Sequence, residues 1–351
     1  MKNDIKSMLP SEIEEYFESI GERAYRTQQV FGWLHRGVRG FGEMTNLSAE
    51  LRVKLDDDFI ITVPEILEKQ ISRADGTIKY LWRLNDGNTI ESVLMEYEHG
   101  LTVCISAQVG CRMGCAFCAS AIGGLVRNLT AAEMIDQVVF SQLDIGKRIT
   151  NIVLMGIGEP LDNYENVVRF LILANHPSGM NIGARHITLS TCGVTENIDK
   201  LAECEIQLSL VASLHAPDDE TRSSLMPINK RGGVDGLIHA CEGYFLATGR
   251  RISYEYALID GVNDTRRHAY LLADKIKRTG SHINLIPLSR VPERDFQASR
   301  PESIKMFTDI LKQKGVNFTV RRKLGGDIDA SCGQLRRRLN GTMGSNKQRQ
   351  G

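Results

Sequence analysis

No stretch of this sequence is hydrophobic over enough residues to cross a membrane. A membrane-spanning helix needs about 20 consecutive apolar residues, whereas the apolar residues here, 42% of 351, are spread along the chain. The amino end, MKNDIKSMLPSEIEEYFESIG, is acidic, has helical spacing and lacks the hydrophobic core of a signal peptide. We therefore predict a cytoplasmic protein with no membrane partner.

The sequence also lacks net charge. Its 43 Lys and Arg residues equal its 43 Asp and Glu residues, so only local clusters of charge can indicate a polyanionic partner. Internal repeats and low-complexity linkers are absent too. The charged fraction of 25% is ordinary for a globular protein, and 351 residues can bury a sizeable core in one large domain or two smaller ones.

Cysteine is too scarce for a disulfide-stapled scaffold, with eight in 351 residues and a compartment that we predict to be reducing. Cys192, Cys204 and Cys241 each stand alone in apolar or helical sequence, which is typical of small buried side chains. The other five need a separate explanation, because three of them fall within eight positions. These five are Cys104, Cys111, Cys115, Cys118 and Cys332.

The first third of the chain changes from helical to strand-like periodicity. Residues 10 to 60 have the spacing of short helices, and Val30, Phe31 and Leu34 form one apolar stripe. Residues 66 to 106 contain strand-like runs separated by Asp-Gly turns, which predict antiparallel hairpins. We therefore expect a small helical N-terminal domain followed by a short antiparallel β extension.

The remainder alternates between apolar strands and helical stretches such as TAAEMIDQVVFSQL. The strand segments are LTVCIS, NIVLMG, RHITLS, IQLSLVASL, RISYEYAL and HINLIPL. This alternation predicts an α/β fold with a parallel sheet, and six units rather than eight predict a partial (β/α)6 barrel. The predicted divisions are the helical domain, the β extension, the barrel and a C-terminal loop with a basic tail, at residues 1–62, 63–98, 99–322 and 323–351.

Three thiols occur together in VGCRMGCAFCAS, just after the first barrel strand. Active sites in such folds lie at the carboxyl ends of the strands. A structural zinc site needs four ligands, usually in two pairs, and this loop offers only Cys111, Cys115 and Cys118. An iron–sulfur cluster is also normally held by four thiolates, so three leave one iron open to a chelating ligand. The amino and carboxylate groups of S-adenosylmethionine (SAM) are such a ligand. The spacing favours a cluster over zinc or a chance grouping.

The Cys-x-x-x-Cys-x-x-Cys motif after the first strand resembles the radical SAM superfamily, whose core is a six-unit partial barrel. Other segments resemble the RNA adenosine methyltransferases of the RlmN/Cfr family, in the same order and spacing over residues 20 to 338. They are CISAQVGCRMGCAFCAS, MGIGEPLDNYENV, ITLSTCG, SLHAPDDETRSSLMPIN, VNDT and DIDASCGQL. The resemblance implies a [4Fe-4S] cluster on Cys111, Cys115 and Cys118, with SAM on the fourth iron.

The resemblance also implies a set of SAM contacts. Gly158 would allow close backbone approach, and Glu159 would pair with the SAM ammonium, although MGIGEP alone is typical of an ordinary turn. The remaining implied contacts are Ser190, Ser213, Leu214, His215 and Ser289. The family usually has asparagine at the last of these positions. Serine reaches about one bond less far, which puts that single contact in question.

The family assigns its chemistry to residues that match Cys332, Cys104 and Glu91. By resemblance, Cys332 is methylated by a first SAM, and a 5′-deoxyadenosyl radical from a second SAM takes hydrogen from that methyl group. The resulting carbon radical adds to adenine, Glu91 removes the adenine proton, and Cys104 releases the product by forming a disulfide with Cys332. An external electron donor and a thiol reductant are therefore implied. By pattern alone, Cys104 and Glu91 are ordinary strand residues.

Local basic residues are the candidates for RNA contact. From residue 321 to the end there are eight Lys or Arg and two Asp, although a charged tail is often simply solvated. We predict phosphate contacts from Arg336 to Arg338. In the N-terminal domain, Arg23, Arg26 and Lys54 are predicted to hold an RNA stem by its shape.

The resemblance implies methylation of adenosine carbon 2 in the peptidyl transferase centre of 23S rRNA and in tRNA, with two SAM molecules per turnover. The alternative is the carbon-8 branch, which confers antibiotic resistance and usually has alanine where Pro160 stands. Two further alternatives are a non-catalytic iron–sulfur RNA-binding protein and a radical enzyme for a small molecule. We expect a monomer.

Overall fold

The computed structural model describes residues 2–204 and 206–336. In this part of the chain the α-helices are α1 Pro10–Ser19, α2 Tyr25–Leu34, α3 Ala49–Asp58, α4 Ala131–Ile145, α5 Tyr164–Asn175, α6 Thr195–Glu203, α7 Asp219–Leu225, α8 Gly233–Thr248, α9 Arg266–Ile276 and α10 Pro301–Gln313. The strands are β1 Asn3–Asp4, β2 Phe59–Ile60, β3 Glu65–Ile71, β4 Ile78–Arg83, β5 Thr89–Tyr97, β6 Gly100–Cys104, β7 Gln108–Gly110, β8 Leu125–Asn128, β9 Asn151–Leu154, β10 Ile187–Thr191, β11 Ser209–Ser213, β12 Ser253–Leu258, β13 His282–Pro287 and β14 Asn317–Val320. Among the described residues, no helix has both the length and the hydrophobicity of a membrane span.

The N-terminal helices α1 to α3 contribute buried apolar residues to the same hydrophobic core as the barrel. Val30, Phe31 and Leu34 are all buried, which confirms the predicted stripe. Lys6 precedes these helices, and its Nζ lies 2.5 Å from Asp136 Oδ1 on α4. Because both side chains are buried, this ion pair fixes the amino end against the first barrel helix.

One ten-stranded sheet organises the rest of the molecule, in the order β14-β13-β12-β11-β10-β9-β6-β5-β4-β3. The six predicted parallel strands are present as β6 and β9 to β13, joined by helices. A seventh parallel strand, β14, pairs with β13 and was not predicted. Strands β3, β4 and β5 continue the sheet antiparallel from β6. The predicted α/β class, with a partial barrel and an antiparallel extension, is confirmed.

The chain after β14 joins the two edges of this open sheet. We call residues 321–336 the Cys332 segment. Its Gly325 N–H donates to Asp75 Oδ2 at 2.9 Å, in the turn between β3 and β4. Asp327 accepts hydrogen bonds from Ser72 Oγ at 2.7 Å and from the Arg73 N–H at 3.0 Å. The segment that carries Cys332 therefore spans the gap between edge strands β14 and β3.

Candidate active site

The three-cysteine loop is the connection of a small antiparallel hairpin formed by β7 and β8. Gly110 has a φ of 79° and ends β7, and a Cβ there would lie 2.0 Å from the Gly124 carbonyl oxygen, so only glycine fits. The Cys111 N–H donates to that carbonyl at 3.1 Å. The Cys118 N–H donates to the Cys115 carbonyl at 3.2 Å. The loop is thus shaped by its own backbone, which leaves the thiols to face a cavity.

The protein itself does not stabilise Cys111 and Cys115 as thiolates. Burial raises the pKa of Cys111 to about 12 and also raises the pKa of Cys115, with neighbouring thiols and Glu159 adding to the effect. In the described part of the chain, no three His, Cys, Asp or Glu side chains converge on a point where one metal ion would sit. A four-iron cluster needs no such convergence, because each thiolate binds a different iron and is deprotonated by it.

The loop after β9 carries a buried carboxylate. Gly158 has a φ of 103°, and a Cβ there would lie 2.5 Å from Gln108 Cβ, so its glycine is required by the packing of the loop itself. Glu159, only 3% exposed, accepts from the Leu161 N–H at 3.0 Å and the Cys192 N–H at 2.7 Å. Burial raises the pKa of Glu159. A cationic ligand in the cavity would favour its charged form.

His215 is a neutral hydrogen-bond donor at the end of β11. Its Nδ1 accepts the Ala257 N–H at 2.9 Å, so the ring proton is on Nε2. Burial, with Arg222 nearby, lowers the pKa of His215 to about 3. The residue has a φ of 57°, and the Asn263 side chain holds this conformation by donating to the His215 carbonyl at 2.7 Å. The Phe117 ring packs edge-on at 5.1 Å.

A serine pair and a glutamate lie beside His215 at the strand ends. Ser190 Oγ is 3.4 Å from both Ser213 Oγ and Glu255 Oε2. Burial raises the pKa of Glu255, and Arg321 Nη2, 4.0 Å from Glu255 Oε1, opposes that rise. The side chain of Leu214 packs in the main core instead and does not line the cavity, so only its backbone can serve a ligand there.

Two cavities meet at Cys332. The cluster cavity is lined by residues that include Cys111, Cys115, Cys118, Gly158, Glu159, Ser190, Ser213 and His215. The outer cavity, of about 320 Å³, is lined by residues of β5, β6, β9 and β13 and by residues 321–324, which follow β14. Cys332, Ser289 and Glu255 line both cavities. The structure therefore places Cys332 at the boundary between the cluster side and the outer side.

The Cys332 loop is tied directly to the cluster loop. The Ala119 N–H donates to the Gly333 carbonyl at 2.8 Å, and Ser120 Oγ donates to the Leu335 carbonyl at 2.7 Å. The Cys332 side chain is exposed to the cavities, yet the surrounding protein raises its pKa to about 11, chiefly by desolvation. The cluster loop therefore fixes the backbone that directly follows Cys332.

Cys104 lies at the end of β6 and also lines the outer cavity. It is 8% exposed and packs with Val93 and Ile157. Burial raises its pKa, and the nearby Cys332 raises it further. The two thiols that the resemblance pairs as carrier and resolving residue are therefore neighbours on one cavity wall. Both are free thiols in this structure.

Glu91 is the predicted proton acceptor, but it is buried away from both cavities. Its side chain is fully buried on β5, with Oε1 3.1 Å from Lys79 Nζ and Oε2 accepting the Arg336 N–H at 2.9 Å. Glu91 does not line either cavity. Lys79 Nζ also donates to the Asp329 carbonyl at 3.1 Å. In this arrangement Glu91 and Lys79 hold the Cys332 segment against the β extension.

The predicted RNA-binding cations differ in whether they form ion pairs within the protein. Arg336 pairs with Glu293, while Arg337 and Arg338 lie outside the described residues. In the helical domain, Lys54 Nζ lies 2.9 Å from Asp58 on its own helix, and Arg26 lies 3.6 Å from Glu22. Arg23 is exposed. RNA contact by the helical domain therefore stays a prediction.

Sequence reasoning missed two buried charged residues of the site, Glu255 and Arg222. Arg222, 2% exposed, donates to the carbonyls of Cys192 at 2.7 Å, Leu214 at 3.0 Å and Ser213 at 3.1 Å. It thereby holds the ends of β10 and β11 together. In the sequence, Arg222 occupies a polar helical stretch that is typical of a solvent-facing side chain, so no local signal identified it.

Comparisons with known proteins show which family the chain resembles. Family models match for the radical SAM superfamily over residues 105–273 and for the ribosomal RNA large subunit methyltransferase N-terminal domain over residues 4–61. A probable dual-specificity RNA methyltransferase RlmN of Alkaliphilus metalliredigens is 50% identical over 337 residues, 96% of each chain. The chain belongs to the RlmN family. Its counterpart of the same description in Alkaliphilus oremlandii is 52% identical, covering 96% of this chain and 98% of that one.

A solved structure extends the likeness of this RlmN-family chain to the whole fold. The crystal structure of a radical SAM methyltransferase from Sphaerobacter thermophilus is 43% identical, with a TM-score of 0.90 over 95% of this chain and 99% of that chain. The predicted family and the predicted radical SAM fold are confirmed. The protein is an enzyme of this family with a radical SAM methyltransferase fold.

Membership of the radical SAM superfamily implies SAM and a [4Fe-4S] cluster, and the residues present fit both. The three loop thiols at one end of the cluster cavity would hold the irons. Beside them, the buried carboxylate of Glu159 and the Nε2–H of His215 suit the amino and carboxylate groups of SAM. The cluster cavity therefore has the donor groups that these cofactors require.

Proposed function

We propose that this protein methylates carbon 2 of an adenosine in the peptidyl transferase centre of 23S rRNA and of an adenosine in tRNA. Cys332 would carry the methyl group, and two SAM molecules would be used per turnover. The observation that carries the proposal is that Cys332 lines both the cluster cavity and the outer cavity. The descriptions of the Alkaliphilus relatives support RNA as the substrate.

When bound, SAM and the cluster would supply a methyl group and a carbon radical. Cys111, Cys115 and Cys118 would hold the cluster, and Glu159, Ser190, Ser213 and His215 would orient SAM. Desolvation by the surrounding protein raises the pKa of the Cys332 thiol to about 11, so the thiol must lose its proton as it accepts the methyl group. Glu255 lines the same boundary and would receive that proton.

Cys104 would release the product. Its sulfur would attack Cys332 Sγ, so that an S–S bond forms and the bond from Cys332 Sγ to the methylene carbon breaks. The electron pair of the broken bond would stay on carbon, which takes a proton and becomes the methyl group of the adenine. An external thiol would then reduce the disulfide. The shared position of Cys104 and Cys332 on the outer cavity supports this role.

Glu91 would remove the proton from adenine carbon 2. Because Glu91 is buried beneath Arg336 and beside Lys79, this role requires the Cys332 segment to move when RNA is bound. Substitution by glutamine would then stop turnover after Cys332 has been methylated.

Mass spectrometry of modified nucleosides tests the proposal. Purified protein, prepared anaerobically with its cluster, is incubated with SAM, a reductant and unmodified 23S rRNA or tRNA. We expect 2-methyladenosine in both RNAs. The appearance of 8-methyladenosine would instead assign the carbon-8 reaction, which Pro160 argues against. Release of 5′-deoxyadenosine with no methylated nucleoside would contradict RNA methylation.

A further inference from the structure

The lining of the outer cavity has an excess of positive charge, whereas the whole protein has no net charge. Four cationic side chains line it, whereas Glu255 is its one lining carboxylate within the described residues. The four are Arg185, Arg321, Arg322 and Lys323. They stand out on a chain with 43 Lys and Arg against 43 Asp and Glu. A cavity of about 320 Å³ with this excess of positive charge suits a small anionic group.

These cations are available to a partner. All four side chains are exposed. Arg321 alone among them approaches a carboxylate in the described part of the chain, at 4.0 Å from Glu255. Arg185 precedes β10, whereas Arg322 and Lys323 follow β14, so residues distant in sequence line one cavity. Cations that folding leaves without ion pairs keep their full attraction for phosphate.

The outer cavity is also lined by aromatic rings. The rings of Tyr97 and His99 are stacked, with centroids 5.2 Å apart and planes 16° apart, and both line the outer cavity. Tyr97 is half-buried and His99 is exposed. Arg321 and Arg322 lie close enough to lower the pKa of Tyr97, while its burial raises that pKa more strongly. Aromatic rings beside unpaired cations are typical of surfaces that bind unstacked nucleotides.

We infer that Arg185, Arg322 and Lys323 form a phosphate-binding rim that holds the RNA backbone on either side of the nucleotide entering the outer cavity. This inference rests on the proposed function, since the cavity leads to Cys332 and Cys104. It assigns RNA contact to the ends of β10 and β14, rather than to the helical domain or the basic tail. The target nucleotide must leave its stack to reach Cys332, and backbone contacts on both sides offset that cost.

The test compares two double substitutions. R185A/R322A removes two cations of the rim. R266A/R267A is the matched control, because Arg266 and Arg267 are exposed on α9 and line neither cavity. Binding of a transcript of the peptidyl transferase region is measured at several salt concentrations. We expect the slope of log K against log salt to fall in magnitude by about 2 for R185A/R322A, about 1 per lost phosphate contact, and to be unchanged for the control.

Methylation of Cys332 by SAM in the absence of RNA separates the possible outcomes. We expect it to be normal in both double variants, because Arg185 and Arg322 do not line the cluster cavity. R185K/R322K, which keeps the charge, should restore most of the slope, and failure of this rescue would contradict phosphate binding. Equal slopes for R185A/R322A and the control would overturn the rim while leaving RNA methylation intact. If the unsubstituted protein methylated Cys332 but no RNA, the proposed function would fail, and the rim with it.

Discussion

Lys79 and Arg83 lie on the same strand, β4, and each pairs with a glutamate in a different environment. The Lys79–Glu91 pair is buried, with the two side chains 5% and 0% exposed. The Arg83–Glu65 pair is about half exposed on both sides. Burial decides the cost of losing one partner, because a buried charge that loses its counter-charge is poorly solvated.

We predict that Lys79→Met lowers the free energy of unfolding by about 3 kcal/mol or more. Arg83→Met, the matched control, should cost under about 1 kcal/mol. Urea unfolding of both variants beside the unsubstituted protein measures the two losses. Equal losses would mean that the Lys79 contacts to Glu91 and to the Asp329 carbonyl do not stabilise the fold.

The buried side chain of His35 predicts how the free energy of unfolding depends on pH. Its Nδ1–H donates to the Phe31 carbonyl at 2.9 Å, and burial lowers its pKa to about 4. Between that value and the usual His pKa of about 6.5, the unfolded chain binds a proton that the folded protein does not. The stability contributed by neutral His35 is therefore complete above pH 6.5 and is lost as pH falls towards 4.

His35→Gln should accordingly flatten the fall in the free energy of unfolding below pH 6.5. The expected change in slope is up to about 1.4 kcal/mol per pH unit. His239→Gln is the control, since His239 is exposed on α8. Unfolding curves between pH 4.5 and 7.5 measure both, and an unchanged slope in His35→Gln would show that His35 titrates normally.

At the scale of elements, the three-cysteine loop acts as one unit. A cluster needs all three thiolates, so we predict that Cys111→Ala, Cys115→Ala or Cys118→Ala removes the iron and sulfide from anaerobically purified protein. Cys241→Ala, at a buried position on α8, should retain both. Iron and sulfide analysis with the absorption spectrum measures this. Full iron content and SAM cleavage in any loop variant would refute the ligand assignment.

The sequence predicted those elements whose signal is local. Six barrel strands and the helical stripe of Val30, Phe31 and Leu34 follow from periodicity alone. Strand β14 was missed because four residues, NFTV, carry little pattern, and its neighbour β13 fixes it through tertiary pairing. Glu255 was missed because it alternates with buried residues of β12 like any polar strand residue, and only the fold brings it beside Ser190.

At the scale of the whole molecule, the open sheet is closed by the segment that carries Cys332. Hydrogen bonds join this segment to the turn after β3 through Asp75 and Asp327, and to the cluster loop through Gly333 and Leu335. The placement of Glu91 beneath the same segment could not be predicted from the sequence, because it depends on residues 245 positions apart. One piece of chain therefore both closes the sheet and holds Cys332 beside the cluster loop.

We propose that Cys332 carries the methyl group between the two cavities and that Cys104 resolves the product. Cys104→Ala should leave methylation of Cys332 intact and accumulate protein cross-linked to RNA, whereas Cys332→Ala should show neither. The decisive measurement is denaturing electrophoresis of the reaction of Cys104→Ala with SAM and RNA, followed by nuclease digestion and peptide mass analysis. We expect an adenosine adduct on the Cys332 peptide. Release of methylated RNA by Cys104→Ala at the normal rate, without an adduct, would contradict it.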